Sequence, residues 1–183
     1  THPASSPPPT SARSGPTAST PSSTVPASPA TLVDLADPTG DQGKDGPAYA
    51  DGLRLQLESS GDQLTATVTM AATLPAKLAS SEVMGIGVDL YRPGGSESDY
   101  QLFADGEPDG WYAYLDTPTG FTRYPGTFDL VQSRVVFTVP WSALGDIRSG
   151  QTSAFVDWSR NGATTSVASA DHIPDAGRVS FSR

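Results

Sequence analysis

The sequence predicts an all-β domain, an antiparallel two-sheet β-sandwich of jelly-roll-like form, behind a disordered Pro/Ser/Thr-rich leader. Three observations carry that expectation. From residue 53 onward, short runs of alternating apolar and polar residues recur at intervals of roughly 8 to 15 residues. No run shows the 3.6-residue apolar period of a long helix. Residues 1–30 are almost entirely Pro, Ser, Thr and Ala, with Val25 the one large apolar residue among them. A closed barrel is the alternative architecture.

The leader cannot bury enough apolar surface to offset the entropy of ordering it. It reads as an extended, semi-stiff tether over 1–30, with the folded domain spanning 31–183. Tethers of this composition hold domains away from a membrane or wall anchor, so the expected location is extracellular or on the cell surface.

Between tether and first strand lies DLADPTGDQGKDGPAYADG, residues 34–52. Asp37, Asp41, Asp45 and Asp51 stand among glycines and prolines too frequent for helix or strand. Such a loop can wrap carboxylates and carbonyls around a hard cation; Ca²⁺ takes about 6 to 8 oxygen ligands. It is not an EF-hand, because Gln42 stands where that loop needs glycine and Ala48 where it needs glutamate. The competing reading is a solvated acidic turn, since Asp and Gly suit any turn.

The strands follow in order. Leu53, Leu55 and Leu57 alternate with polar residues, Gly61-Asp62 turns the chain, and Leu64, Ala66, Val68 and Met70 alternate with threonines. Residues 53–58 and 63–73 therefore pair as a hairpin. Residues 84–91 (MGIGVDLY) form a central strand closely approached by another layer. Residues 99–104 and 111–116 are strands on either side of an acidic turn at 105–110, and 121–130 is ambiguous around Pro125-Gly126. Val135, Phe137 and Val139 mark a further strand, after which Trp141 plugs the end of the core. Residues 152–158 and 163–168 flank Asn161-Gly162, a strong hairpin dipeptide. Residues 171–177 (DHIPDAG) form a third acidic loop before the last strand at 179–181.

Three segments, DPTGDQGKDGPAYADG at 37–52, VPWSALG at 139–145 and DHIPDAG at 171–177, together resemble a known family. They are similar to the calcium-associated β-sandwich modules allied to family 9 carbohydrate-binding modules, including the glucodextranase C-terminal domain and the wider DOMON-like group. Asp37-Pro38, Gly40-Asp41 and Gly43 match the acidic opening loop of those modules. Val139-Pro140, Leu144 and Gly145 match their closing strand-to-turn. The resemblance implies the sandwich fold and makes Asp37 and Asp41 the leading cation ligands.

Charge and composition narrow the function. The net charge of -9 and the lack of any basic run disfavour nucleic acid and anionic membranes. No apolar run reaches the ~18 residues of a spanning helix. Zero cysteines exclude thiol catalysis and cysteine-based zinc sites. The only histidines are His2 and His172, no GxSxG motif occurs, and of the four glutamates Glu58 reads as a polar strand face and Glu97 and Glu107 as turn residues, so the chain reads as non-catalytic. A haem-binding module would need Met70, Met84 or His172 as axial ligands, and both methionines read as core.

Two sites follow. Asp37, Asp41 and Asp45 from the first acidic loop, with Asp171 and Asp175 from the last, meet if the first and last strands lie together; a calcium ion is the expected cofactor. In 111–116 the alternation turns Trp111 to the core and Tyr112 and Tyr114 outward. With Tyr100 and Tyr91 on nearby strands these form an exposed platform on which sugar rings can stack. Cross-strand pairs that merely stabilise a sheet are the plainer alternative. The expected partner is a polysaccharide or surface glycan, or alternatively another surface protein.

Overall fold

The alternating runs become strands because each places one apolar phase against a second layer. The computed structural model describes residues 28–43, 46–160 and 169–183. Among these, twelve strands and two short 3₁₀ turns build two antiparallel sheets packed as a sandwich. Asp45, the Asn161-Gly162 turn and the strand expected over 163–168 lie outside the described residues.

The smaller sheet contains β1 (Ala30–Ala36), β2 (Gly52–Ser60), β3 (Gln63–Met70), β9 (Arg134–Pro140) and β8 (Thr127–Val131), in that spatial order. The larger sheet runs β11 (Ser169–Ile173), β10 (Ser149–Arg160), β4 (Glu82–Tyr91), β5 (Tyr100–Glu107), β6 (Gly110–Thr117) and β7 (Gly120–Arg123). β12 (Val179–Ser182) also pairs with β10. Leu55, Leu57, Leu64, Val68, Val135, Phe137 and Val139 from the first sheet are fully buried against Ile86, Val88, Leu90, Leu102 and Val156 from the second. Trp141 closes one end of this core: its Nε1 donates to Ser59 Oγ at 3.1 Å, and its ring stacks on Phe181 with centroids 6.5 Å apart.

Several sequence expectations are corrected. β1 lies ahead of the first alternating run that the sequence marks as a strand. It is an edge strand with only Val33 buried, so its apolar phase is short. The ambiguous 121–130 stretch divides into β7 and β8, which edge opposite sheets and are largely exposed. The acidic turn at 105–110 is shorter than expected, because β5 and β6 extend until Gly110 pairs with Glu107. Asp171 and His172 lie in β11, hydrogen-bonded into the larger sheet, and not in a loop.

Candidate functional site

The register of β2 slips between Gly52 and Arg54, leaving Leu53 as a bulged residue. Bulges re-aim the chain beside functional sites. Here the Leu53 carbonyl accepts from Asp37 N at 2.8 Å, and Gly52 N donates to Asp171 Oδ2 at 2.6 Å. The approach is close: a Cβ on Gly52 would meet Ile173 Cδ1 at 2.9 Å and Asp171 Oδ2 at 3.2 Å, so a larger residue there has to displace those side chains. The loop after β1 is thereby fastened to β11 across the two layers. The first and last acidic segments do meet, between sheets and not as neighbours in one sheet.

The result is a group of four carboxylates, Asp37, Asp41, Asp171 and Asp175, whose oxygens lie within 4.8 Å of one another and could hold a metal ion. Four of the five carboxylates expected to meet are in this group, and the fifth, Asp45, lies outside the described residues. Asp171 is buried, Asp37 half-buried, and Asp41 and Asp175 open the site to solvent. Asp37 Oδ2 is buried without a hydrogen-bond partner, an orphaned acceptor that a cation would satisfy. All donors are hard oxygens, which suits Ca²⁺, Mg²⁺ or Mn²⁺ and not a thiolate-seeking metal.

Asp51, which the sequence places in the opening acidic loop but not among the expected ligands, takes a supporting part. Asp51 is only 2% exposed, its Oδ2 accepts from Gly40 N at 2.9 Å, and its Oδ1 has no partner. It supports the loop that carries Asp41.

The electrostatics record the crowding. Burial, then the charges of Asp171, Asp175, Asp41 and Asp51, lifts Asp37 from an ordinary 3.8 to about 7. Burial, reinforced by Asp41 and Asp51, lifts Asp171 to about 6 despite backbone donors at Gly52 and His172. Burial raises Asp51 as well, with Asp41 adding to it. Carboxylates so placed resist ionising unless a cation cancels their charge.

Above pH 4 the metal-free fold keeps protons that the unfolded chain has already released, on Asp171 up to about pH 6 and on Asp37 up to about pH 7. Its stability is therefore fully present below about pH 4 and falls as pH rises through 6 to 7. Each tenfold change in proton affinity is worth about 1.4 kcal/mol, trimmed by solvent at these partly open groups to a net loss on the order of 2 kcal/mol. Urea unfolding in chelator at pH 5 and pH 7.5 measures it. A bound divalent cation flattens the slope over this range, because it holds both carboxylates deprotonated, as they already are in the unfolded chain.

The second candidate is the outer face of the larger sheet. Tyr112 and Tyr114 point outward from β6, 43% and 36% exposed, and Trp111 turns to the core, as the alternation implies. Tyr112 donates its hydroxyl to Asp109 Oδ2 at 2.8 Å. The other two platform residues are corrected. Tyr100 shares the inward phase of Leu102 and Ala104, is 7% exposed and sits in the core. Tyr91 faces away from the core but is 8% exposed, because the Arg178 guanidinium lies 3.5 Å from its ring centroid. Arg178 is held there by the carbonyls of Gly95 and Ser96.

In their place the pairing brings up Phe103 and Phe155. Tyr114 is opposite Phe103, Phe103 opposite Gly87, and Gly87 opposite Phe155, one continuous row on the outer face. The two phenylalanine rings stack 6.1 Å apart. They lie over Gly85 and Gly87, where any Cβ would collide with them. The phase shared by Tyr114, Phe103 and Phe155 was readable only once the register was known. Met70 and Met84 are core residues and His172 is exposed, so they do not converge on one ligand position.

No protein-family model, no curated protein and no solved structure matches this chain.

Proposed function

We propose that this chain is a non-catalytic, exported binding module: a β-sandwich pinned by a calcium ion at Asp37, Asp41, Asp171 and Asp175, which presents the outer face of its larger sheet to a polysaccharide. The observation that carries the calcium reading is the convergence of four carboxylates around a buried, partnerless Asp37 oxygen. Calcium is favoured over magnesium because two of the carboxylates are on exposed loop positions free to adapt, and calcium accepts irregular shells of many oxygens. The likeness of residues 37–52, 139–145 and 171–177 to calcium-associated sandwich modules points the same way.

The glycan reading is supported by Tyr112 and Tyr114, large amphipathic rings exposed side by side on a pleated, rigid surface. Aromatic faces offer sugars apolar area with a polar edge. Retention on insoluble polysaccharides is the test. Tyr112→Ala with Tyr114→Ala is expected to release the protein from the matrix while leaving its thermal midpoint within about 2 °C, as for other exposed positions. Unchanged retention would remove the tyrosines from the site. A large drop in midpoint would make them structural.

A further inference from the structure

The aromatic row is bordered on both sides by acid. One pleat away, about 7 Å along the strands, β10, β4, β5 and β6 align Asp157, Gly85, Asp105 and Tyr112. On the other side they align Ser153, Asp89, Gln101 and Asp116. A trough of about 200 Å³ opens between Phe103, Asp105 and Asp157, floored by Gly85. Arg123, opposite Tyr114 on β7, is the one basic side chain in these outward rows of β4 to β7 and β10 among the described residues. No ion pair reaches Asp105 among the described residues. Burial, then Glu107, raises the Asp105 carboxyl above its ordinary range, so the site gains from a neighbouring cation.

We infer that this face takes a cationic glycan, a polymer of sugar rings bearing free, protonated amines, with the rings on Phe103, Phe155 and Tyr114 and the ammonium groups on the flanking carboxylates. The inference rests on the glycan reading above and adds the ligand's charge. A saturated ring laid flat on the aromatic row directs its equatorial substituents outward, over the two acidic rows. Protonated amines there gain charge-assisted hydrogen bonds and the attraction of the ring faces. A neutral sugar gives the carboxylates only weaker hydroxyl donors, and a uronic or sulfated glycan is repelled. A lysine-rich peptide matches the charge but brings no flat apolar ring to the aromatic row.

Calorimetric titration of the full chain, at a pH where sugar amines are protonated, separates the outcomes. The ligands are a β-1,4-linked glucosamine hexamer, its N-acetylated counterpart, a cellulose hexamer and a lysine hexamer. The glucosamine hexamer is expected to bind at least tenfold more tightly than the others and to weaken with added salt. Asp105→Asn is expected to cut that affinity roughly tenfold, the loss of one charge-assisted hydrogen bond, without lowering the thermal midpoint. Equal affinity for amine and neutral hexamers overturns the inference while the glycan reading stands. Lysine hexamer binding as tightly as glucosamine overturns it in favour of a plain cation surface. Binding of none of the four defeats both readings.

Discussion

Replacing Asp171 by alanine is expected to destabilise the protein with or without calcium and to abolish any response to the ion. Its carboxylate accepts from Gly52 N at 2.6 Å and from His172 N at 2.8 Å, in a buried setting between the sheets. Removing it strands those two donors, each at about 1 to 3 kcal/mol, while relieving the repulsion from Asp41 and Asp51, so a net loss of roughly 2 to 4 kcal/mol is expected in chelator alone. Asp37→Asn makes the contrast. It relieves the repulsion that lifts Asp37 to about 7, so the metal-free protein at neutral pH should gain on the order of 1 kcal/mol. The same change removes a metal ligand, and calcium should then add little. Opposite signs in chelator with a common loss of the calcium response distinguish a cation site from an acidic turn. Urea midpoints for both variants, with and without calcium, supply the test. An Asp37→Asn protein still stabilised like the parent would remove Asp37 from the ligand set.

Phe137→Ala should have the largest effect on the fold itself, about 3 to 5 kcal/mol. Phe137 is fully buried in β9, opposite the small Ala66 of β3 on one side and Phe128 of β8 on the other. Its ring centroid is 5.5 Å from that of Phe128 and 6.0 Å from that of Tyr124. Those two residues hold the passage from β7 to β8, where the chain changes sheets. The cavity cannot be refilled from Ala66, and the phenol of Tyr124 is already buried without a partner. Stability of domains of this kind is about 5 to 15 kcal/mol, so the variant should unfold at a clearly lower urea concentration with a similar slope. A loss below about 1 kcal/mol would mean that the core repacks around the site and that Phe137 does not anchor the crossover.

Much of this architecture was legible because strand alternation is a local signal. Leu55-Leu57, Leu64-Ala66-Val68 and Val135-Phe137-Val139 each declare their buried phase without knowledge of a partner. The phase of 111–116 likewise sent Trp111 inward and Tyr112 and Tyr114 outward. Edges were harder. β1, β7 and β8 bury little, so their residues carry a weak pattern. The metal group was partly legible: glycine and proline marked the loop of Asp37 and Asp41, while the pairing of Asp171 with Gly52 depends on a bulge that no local rule reveals. Tyr91 and Tyr100 were misread for two different reasons. Tyr100 has the wrong phase relative to Tyr114 across an unknown register, and Tyr91 is covered by Arg178, distant in sequence.

A cation joining the opening loop to β11 is tested most directly by the thermal midpoint in millimolar calcium and in excess chelator. Calcium at about 100 times its dissociation constant adds about 2.7 kcal/mol to a fold that alone binds it, a rise of roughly 5 to 10 °C at this size. That rise, lost in Asp37→Asn, is the expected result. Identical midpoints in calcium and chelator at neutral pH would contradict the metal site and leave Asp37, Asp41, Asp171 and Asp175 as a solvated acidic cluster.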